Sequence, residues 1–484
     1  MSHRLRPSFL GPVAFLLIVG IGALGAPGAA VAAPAPPPIT VLSAGATADR
    51  GAIFVAPFGD NGEYANGPEI VDGTGKTIWF RPIPAGQEAA DFRTQTYRGR
   101  PVLTWWQGTG LGGLAQGTDY VYDRHYHQIA EVHAGNGYSA DGHEFLITPW
   151  NTALILVYTT TTADLTSIGG PANQRVIDGI VQEIDIPTRR VLFEWHSYPE
   201  IGIQESYSKP PKKQLGTKPF PYDYVHLNSI DVEPNGNLLV SGRNTHAVYE
   251  ISRRTGKVIW RLGGKKSDFK LGPGARFAWQ HDARRQPDGT ITMFDNGAAP
   301  PVEKFSRILV LRADTKTKRA TLVRSYRHPR KLLAPFEGNA QFLPDGHVFV
   351  GWGGWPYATE FARNGRVLWD AYFGHGKPPG EDADSYRAYR FVWHGHPTDR
   401  PALAVKQRPA VTTLYASWNG ATEVARWAVY AGDNMDKLSR IGTWSKSGFE
   451  TAITVQNDAK FFAVEALNKP GRALSRSAAV AAKG

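Results

Sequence analysis

No cysteine occurs in the 484 residues. That absence excludes disulfides, thiol nucleophiles, Cys-ligated metals and a lipidated cysteine at an export site. Stability must come from core burial, which a chain of this length can supply. Long stretches of helical periodicity are also missing, which argues against a helix bundle. The net charge of +11 is spread out, with only short clusters such as Lys265-Lys266 and Arg284-Arg285. Without a basic stripe or a known module, no nucleic-acid partner is expected. Gly73-Thr74-Gly75-Lys76-Thr77 lacks the glycine a phosphate loop needs at position 70, which is Ile70, and sits in a hairpin turn.

Glycine (52), proline (35) and aromatic residues are abundant, the mix of short strands joined by tight turns. The N-terminus carries Arg4 and Arg6, then an uncharged apolar stretch and the small-residue motif Ala30-Val31-Ala32. This reads as a signal peptide over 1–33, with an uncleaved anchor as the alternative. The chain is therefore expected to be exported, with no membrane partner beyond export. A Pro/Ala-rich linker follows over 34–50.

A strand–turn–strand unit then recurs six times, at 69–80, 120–132, 182–195, 249–262, 309–323 and 359–372. Second hairpins lie between the copies, such as EPNGNLLVSGR and QPDGTITMFDNG. The expected fold is all-β: a six-bladed β-propeller over 51–400. A small fibronectin- or immunoglobulin-like β-sandwich is expected at 405–475, and a flexible tail at 476–484.

One hairpin, HLNSIDVEPNGNLLVSGR at 226–243, carries polar residues that a structural hairpin does not need. With Asn235-Gly236 as a two-residue loop and no bulge, Asn228 opposes Arg243. His226 then shares their face. Aligned on the turn, His281 and His143 fall in the Asn228 slot of other hairpins. Asn296, Tyr158 and Trp106 fall in the Arg243 slot. Inner strands of a propeller line its channel, so His143, His226, Asn228, Arg243 and His281 are expected at one mouth. A lone histidine on a strand is more often structural than catalytic; here repeat position is what singles these out. Arg243 disfavours a metal among the three histidines and favours an anion with several equivalent oxygens. Hence no metal or cofactor is expected.

The pattern H-x-N-S-I-D, Arg seventeen residues after that histidine, G-K-V-I-W-R-L-G-G-K, Q-H-D-A-R and F-D-N-G resembles the arylsulfotransferase family. These are the arylsulfate sulfotransferases that do not use phosphoadenosine phosphosulfate. The resemblance runs from about Gly51 to Pro397 and implies a six-bladed propeller. It implies His281 as the nucleophile that becomes a sulfohistidine. His226, Asn228 and Arg243 match sulfate-binding and leaving-group positions, and His143 a further catalytic position. Asn296, Tyr158 and Trp106 join Asn228 as expected substrate-binding residues, with Trp105 a further candidate for holding the ring. Some relatives carry a disulfide, which this chain cannot form. The expected partners are a small-molecule aryl sulfate donor and a phenolic acceptor, in a ping-pong reaction. His226 is the expected acid for the departing phenoxide. The alternatives are a secreted propeller that only binds a ligand and a metal-dependent propeller hydrolase or lyase.

Overall fold

The computed structural model describes residues 35–45, 51–59, 63–111, 113–210 and 221–483. The expected signal peptide and part of the 34–50 linker lie outside the described residues. Among the described residues, helix is confined to short turns at Thr166–Ile168, Ser197–Glu200 and Ile203–Glu205. No helix among them is long and apolar enough to cross a membrane. The fold is all-β. Leu154, Ile155, Leu156 and Val157 are all buried in one strand, Thr152–Ala163, as in a sheet covered on both faces.

Antiparallel four-strand meanders occupy 88–132, 140–196, 227–263, 281–326 and 339–373. The first two join into one sheet through the pair Gly117↔Ala140. A further sheet takes Ala52–Val55, Glu69–Val71 and Thr77–Phe80 from the start of this region. Its fourth strand, Ala388–Phe391, comes from the end. Two outer edges carry an added strand: Ile39–Ala44 on Val367–Phe373, and Lys270–Leu271 parallel to Arg319–Tyr326. The six sequence copies supply the last two strands of these units.

Apolar faces pack between successive units. Leu154 and Val181 meet Leu238 and Val240; Leu239 and Val248 meet Ile291 and Leu309. The last unit returns to the first, where Phe349 and Trp369 share a cluster with Ile53 and Val55. Along the first strands, carboxylates bridge from unit to unit. Asp91 accepts the N–H of Phe145, Glu144 that of Ile230, Asp231 that of Arg285 and Asp282 that of Ala340. Glu144 also pairs with Arg93 and Arg284 at 2.6 Å and with Arg387 at 3.2 Å. Four units thus contribute to one buried charged cluster, whose members compensate one another.

Residues 402–481 form two further antiparallel sheets whose side chains share one cluster, including Leu414, Ile453, Trp427 and Val464. Asn419 anchors this region to the rest. Its Oδ1 accepts the N–H of Phe80 at 3.0 Å and its Nδ2 donates to the Phe80 carbonyl at 2.9 Å. The tail expected to be flexible from 476 is tied down. Val480–Ala481 pairs with Phe461–Leu467, and the Ser477 N–H donates to the Val464 carbonyl at 2.8 Å. Exposed ends stay loose only where nothing holds their backbone, and here a sheet edge does.

Candidate active site

The hairpin at 226–243 departs from its simplest form twice. Its loop has three residues: Gly236 N–H donates to the Glu233 carbonyl and Glu233 N–H to that of Asn237, both at 2.8 Å. Gly236 takes a left-handed φ of 82°, which glycine adopts without steric cost. The second departure is a bulge at Asn228, where pairing jumps from Ser229↔Ser241 to Leu227↔Gly242. Two one-residue offsets sum to two, which preserves the face but changes the partner. Arg243 N–H therefore donates to the His226 carbonyl at 2.8 Å, and Arg243 opposes His226 rather than Asn228. The bulge turns Asn228 into the seam between units, where its Nδ2 donates to the Gln280 carbonyl at 2.7 Å. Similar irregularities interrupt pairing at Ala90/Arg93 and His281/Arg284. His226, Asp91 and Asp282 take φ of 51°, 53° and 54°. Each such backbone costs about 1–3 kcal/mol and is held by its surroundings.

His281 opens strand His281–Arg285 and is buried. Its Nδ1 lies 2.8 Å from Asn296 Oδ1. Asn296 uses its amide nitrogen to donate to the carbonyls of Glu337 at 2.9 Å and Ala334 at 3.2 Å. The amide oxygen must then face His281, so Nδ1 carries the proton and Nε2 the lone pair. The Glu337 N–H points at that Nε2 from 3.3 Å. Burial, then the nearby Arg243 charge, hold the His281 imidazole well below its ordinary range, so it is neutral at neutral pH.

His226 places Nδ1 at 2.5 Å from Asp223, and His143 bonds Asp141 through its own Nδ1. The two rings meet edge to face with centroids 4.9 Å apart. Burial lowers the His226 pKa, with Asp223 acting in the opposite direction. Arg243 is largely buried. Its guanidinium donates to Asn244 Oδ1 and the Pro335 carbonyl and lies 5.0 Å from the Trp279 ring. No carboxylate among the described residues lies within 4.0 Å of it, so its charge remains for an anion. His143, His226, Arg243 and His281 all line one cavity of about 720 Å³, together with Trp106 and Tyr386. Among the described residues, no group of three or more His, Asp and Glu side chains is arranged to hold a metal ion.

A family model described as arylsulfotransferase (ASST) matches residues 93–374, more than half of the chain. The chain belongs to the arylsulfotransferase family. Aryl sulfates and phenols are the general substrate classes that membership implies. Among curated proteins nothing matches. Solved structures that resemble this arylsulfotransferase chain do so distantly. A Bacteroides caccae protein of unknown function is 14% identical, covering 70% of this chain and 97% of its own at TM-score 0.40. A Lactobacillus plantarum protein is 14% identical, with coverages of 84% and 99% and TM-score 0.38. Virginiamycin B lyase from Staphylococcus aureus is 9% identical, with 68% and 88% and TM-score 0.34.

Within this arylsulfotransferase cavity the expected residues separate into two groups. His143, His226, Arg243, His281 and Trp106 line it. Asn228, Asn296 and Tyr158 were expected against the substrate but stand behind its walls. Asn296 supports His281, Asn228 holds the seam, and the Tyr158 hydroxyl donates to the Leu227 carbonyl beneath the two histidines. Trp105 is packed away among Trp79, Phe92 and Tyr122. Sequence reasoning missed Asp223, Asp141, Tyr386, Phe336 and Glu337. Asp223 and Asp141 were findable as acids three and two residues before a chosen histidine. Tyr386 was not, because nothing local marks it. Gly142 lets the Trp106 ring lie against the backbone: a Cβ there would stand 2.9 Å from Cε3.

Proposed function

We propose that this protein is an arylsulfate sulfotransferase that works without phosphoadenosine phosphosulfate, by a ping-pong route through a sulfohistidine at His281. The observation that carries this reading is a neutral His281, its lone pair on Nε2, lining the same cavity as an Arg243 that has no carboxylate within 4.0 Å among the described residues. In the first half-reaction Nε2 attacks sulfur, an N–S bond forms and the S–O bond to the aryloxide breaks. Arg243 holds the sulfuryl oxygens, and protonated His226 gives its proton to the aryloxide, which leaves as a phenol. His226, now neutral, takes the proton of the incoming phenol. The phenol oxygen attacks sulfur, the N–S bond breaks, and His281 is regenerated.

Sulfuryl transfer resembles phosphoryl transfer, with a loose transition state and charge on three equatorial oxygens. The protein's task is then to position the groups and stabilise that charge. Binding a sulfate monoanion beside Asp223-linked His226 favours the imidazolium, which supplies the proton the leaving group needs. As part of the same reading, the five meanders and the sheet closed by Ala388–Phe391 are six propeller blades, 402–481 is an appended sandwich that packs or spaces, and the chain is exported.

The test is incubation with 4-nitrophenyl sulfate, with and without phenol, and mass spectrometry of the peptide containing His281. Nitrophenol release that depends on acceptor, with an 80 Da sulfuryl adduct on His281 (about the mass of SO₃), is the expected result. Equal release without acceptor indicates a sulfatase. No release with a folded protein and several acceptors favours a binding module.

A further inference from the structure

Four consecutive residues, 334–337, touch His281, Asn296 and Arg243 together. The carbonyls of Ala334 and Glu337 accept from Asn296 Nδ2. The Pro335 carbonyl accepts from the Arg243 guanidinium at 2.9 Å, and the Glu337 N–H points at His281 Nε2 from 3.3 Å. Phe336 sits between the residue that meets Arg243 and the residue that meets His281. Neighbouring Cα atoms are about 3.8 Å apart, so the Phe336 side chain starts within an aryl ring's reach of a sulfur held between Arg243 and His281. Its ring lines the cavity and is 38% exposed. Gly354 lets that ring rest on the backbone, since a Cβ there would stand 2.4 Å from Phe336 Cε2. The other rings of the cavity are already committed. Trp106 and Tyr386 are buried, the indole N–H on the Ala140 carbonyl and the phenol on the Asn228 carbonyl. Phe58 pairs its backbone with Asp384, not with a catalytic side chain.

We propose that Phe336 is the specificity-determining residue for the aryl group, one platform that serves donor and acceptor alike. This rests on the sulfotransferase reading above and deepens it. In a double displacement through His281, sulfur is attacked in line. The aryl oxygen that leaves in the first half-reaction and the one that attacks in the second therefore take the same position, opposite Nε2. Both rings then lie beside Phe336. A flat ring there gains offset or edge-to-face contact with the phenylalanine, beyond the burial of its area. A second fused ring extends that contact, and a cavity of about 720 Å³ has room for it. Extended aryl groups are therefore favoured in both half-reactions.

The experiment uses the full chain and two matched series: phenyl and 2-naphthyl sulfate as donors, and phenol and 2-naphthol as acceptors with 4-nitrophenyl sulfate. The naphthyl-to-phenyl ratio of kcat/KM is expected above one in each series. Phe336→Leu, which keeps apolar bulk but loses the flat ring, lowers both ratios by roughly three- to tenfold. Phe336→Tyr keeps the ring and retains both ratios. A ratio within one variant is insensitive to the amount of folded enzyme. Wild-type ratios of one or below, ratios unchanged in Phe336→Leu, ratios lost equally in Phe336→Tyr, or a fall in one series alone overturn the proposal. If 4-nitrophenyl sulfate supports no turnover with any acceptor, the sulfotransferase reading itself has failed. Calorimetric binding of phenol and 2-naphthol then still tests the platform. A naphthol preference that is lost in Phe336→Leu supports it, and the same preference in both proteins sinks it.

Discussion

His281 and Asn296 are joined by a 2.8 Å contact between Nδ1 and Oδ1, and that contact fixes which imidazole nitrogen is free. The Asn296 amide has no latitude, since both its N–H groups are committed to main-chain carbonyls. Asn296→Ala removes the buried acceptor and lets the ring rotate or change tautomer. A partner lost from a buried donor costs about 1–3 kcal/mol. The expected outcome is a fall in kcat of about 5- to 150-fold with a smaller change in donor KM. His281→Ala should lose turnover and the sulfuryl adduct altogether. Full activity in Asn296→Ala would show that the ring is oriented by something else.

The pH dependence of donor kcat/KM follows from His226. Burial lowers its pKa, so at neutral pH the free protein is mostly neutral there, and binding a sulfate anion requires proton uptake. Donor kcat/KM toward poor leaving groups should decline as pH rises through the His226 value, which lies below the ordinary 6.5. Asp223 raises the His226 value, so Asp223→Asn should move the decline to lower pH. A decline that stays in place after this substitution would remove His226 from the proton path.

Arg243→Gln should reduce donor kcat/KM by about 10²–10³-fold, the scale of losing a preorganised donor to a transferring group. It should also move the acidic limb of the profile upward, because Arg243 is second only to burial in depressing His281. Arg243→Lys should recover only part of the rate, since a point charge cannot replace the planar fork.

Glu144 tests the buried cluster behind the cavity. Glu144→Gln leaves Arg93, Arg284 and Arg387 without their shared carboxylate and should cost about 3–5 kcal/mol in denaturant unfolding. These cations hold the Glu144 pKa far below the usual carboxylate range. Its stabilisation is therefore present above that range and lost as pH falls through the folded value. A loss below about 1 kcal/mol would mean the guanidiniums find other partners.

Glu69 shows the opposite sign. Burial pushes its pKa up to about 8 from an ordinary value of 4.5, despite a 2.7 Å bond from Thr77 Oγ1. Between those values the unfolded chain ionises and the folded one does not, so stability falls as pH rises. Glu69→Gln should stabilise by on the order of 1–3 kcal/mol at pH 8 and by almost nothing at pH 4.5. Equal effects at both ends would contradict this.

How far the site was legible can be read from two residues in one hairpin. His226 and Arg243 were correctly placed on one face, because alternation in a strand survives an offset of two. Asn228 was misplaced, because a bulge is set by what the neighbouring unit offers. Here that is the Gln280 carbonyl, more than fifty residues away in sequence. Tyr386 and Glu337 were invisible for the same reason: they reach the cavity only through packing of the first strands.

The amino-acid order by itself determined the all-β character, the repeated unit and the set of histidines and arginine that repeat position singles out. Short-range alternation and turn chemistry are local properties. Only the tertiary structure decided which nitrogen of His281 is free, which acids orient His226 and His143, and which residues close the cavity wall. Those outcomes depend on carboxylates, amides and carbonyls from different units meeting at hydrogen-bond distance, and no local pattern encodes that meeting.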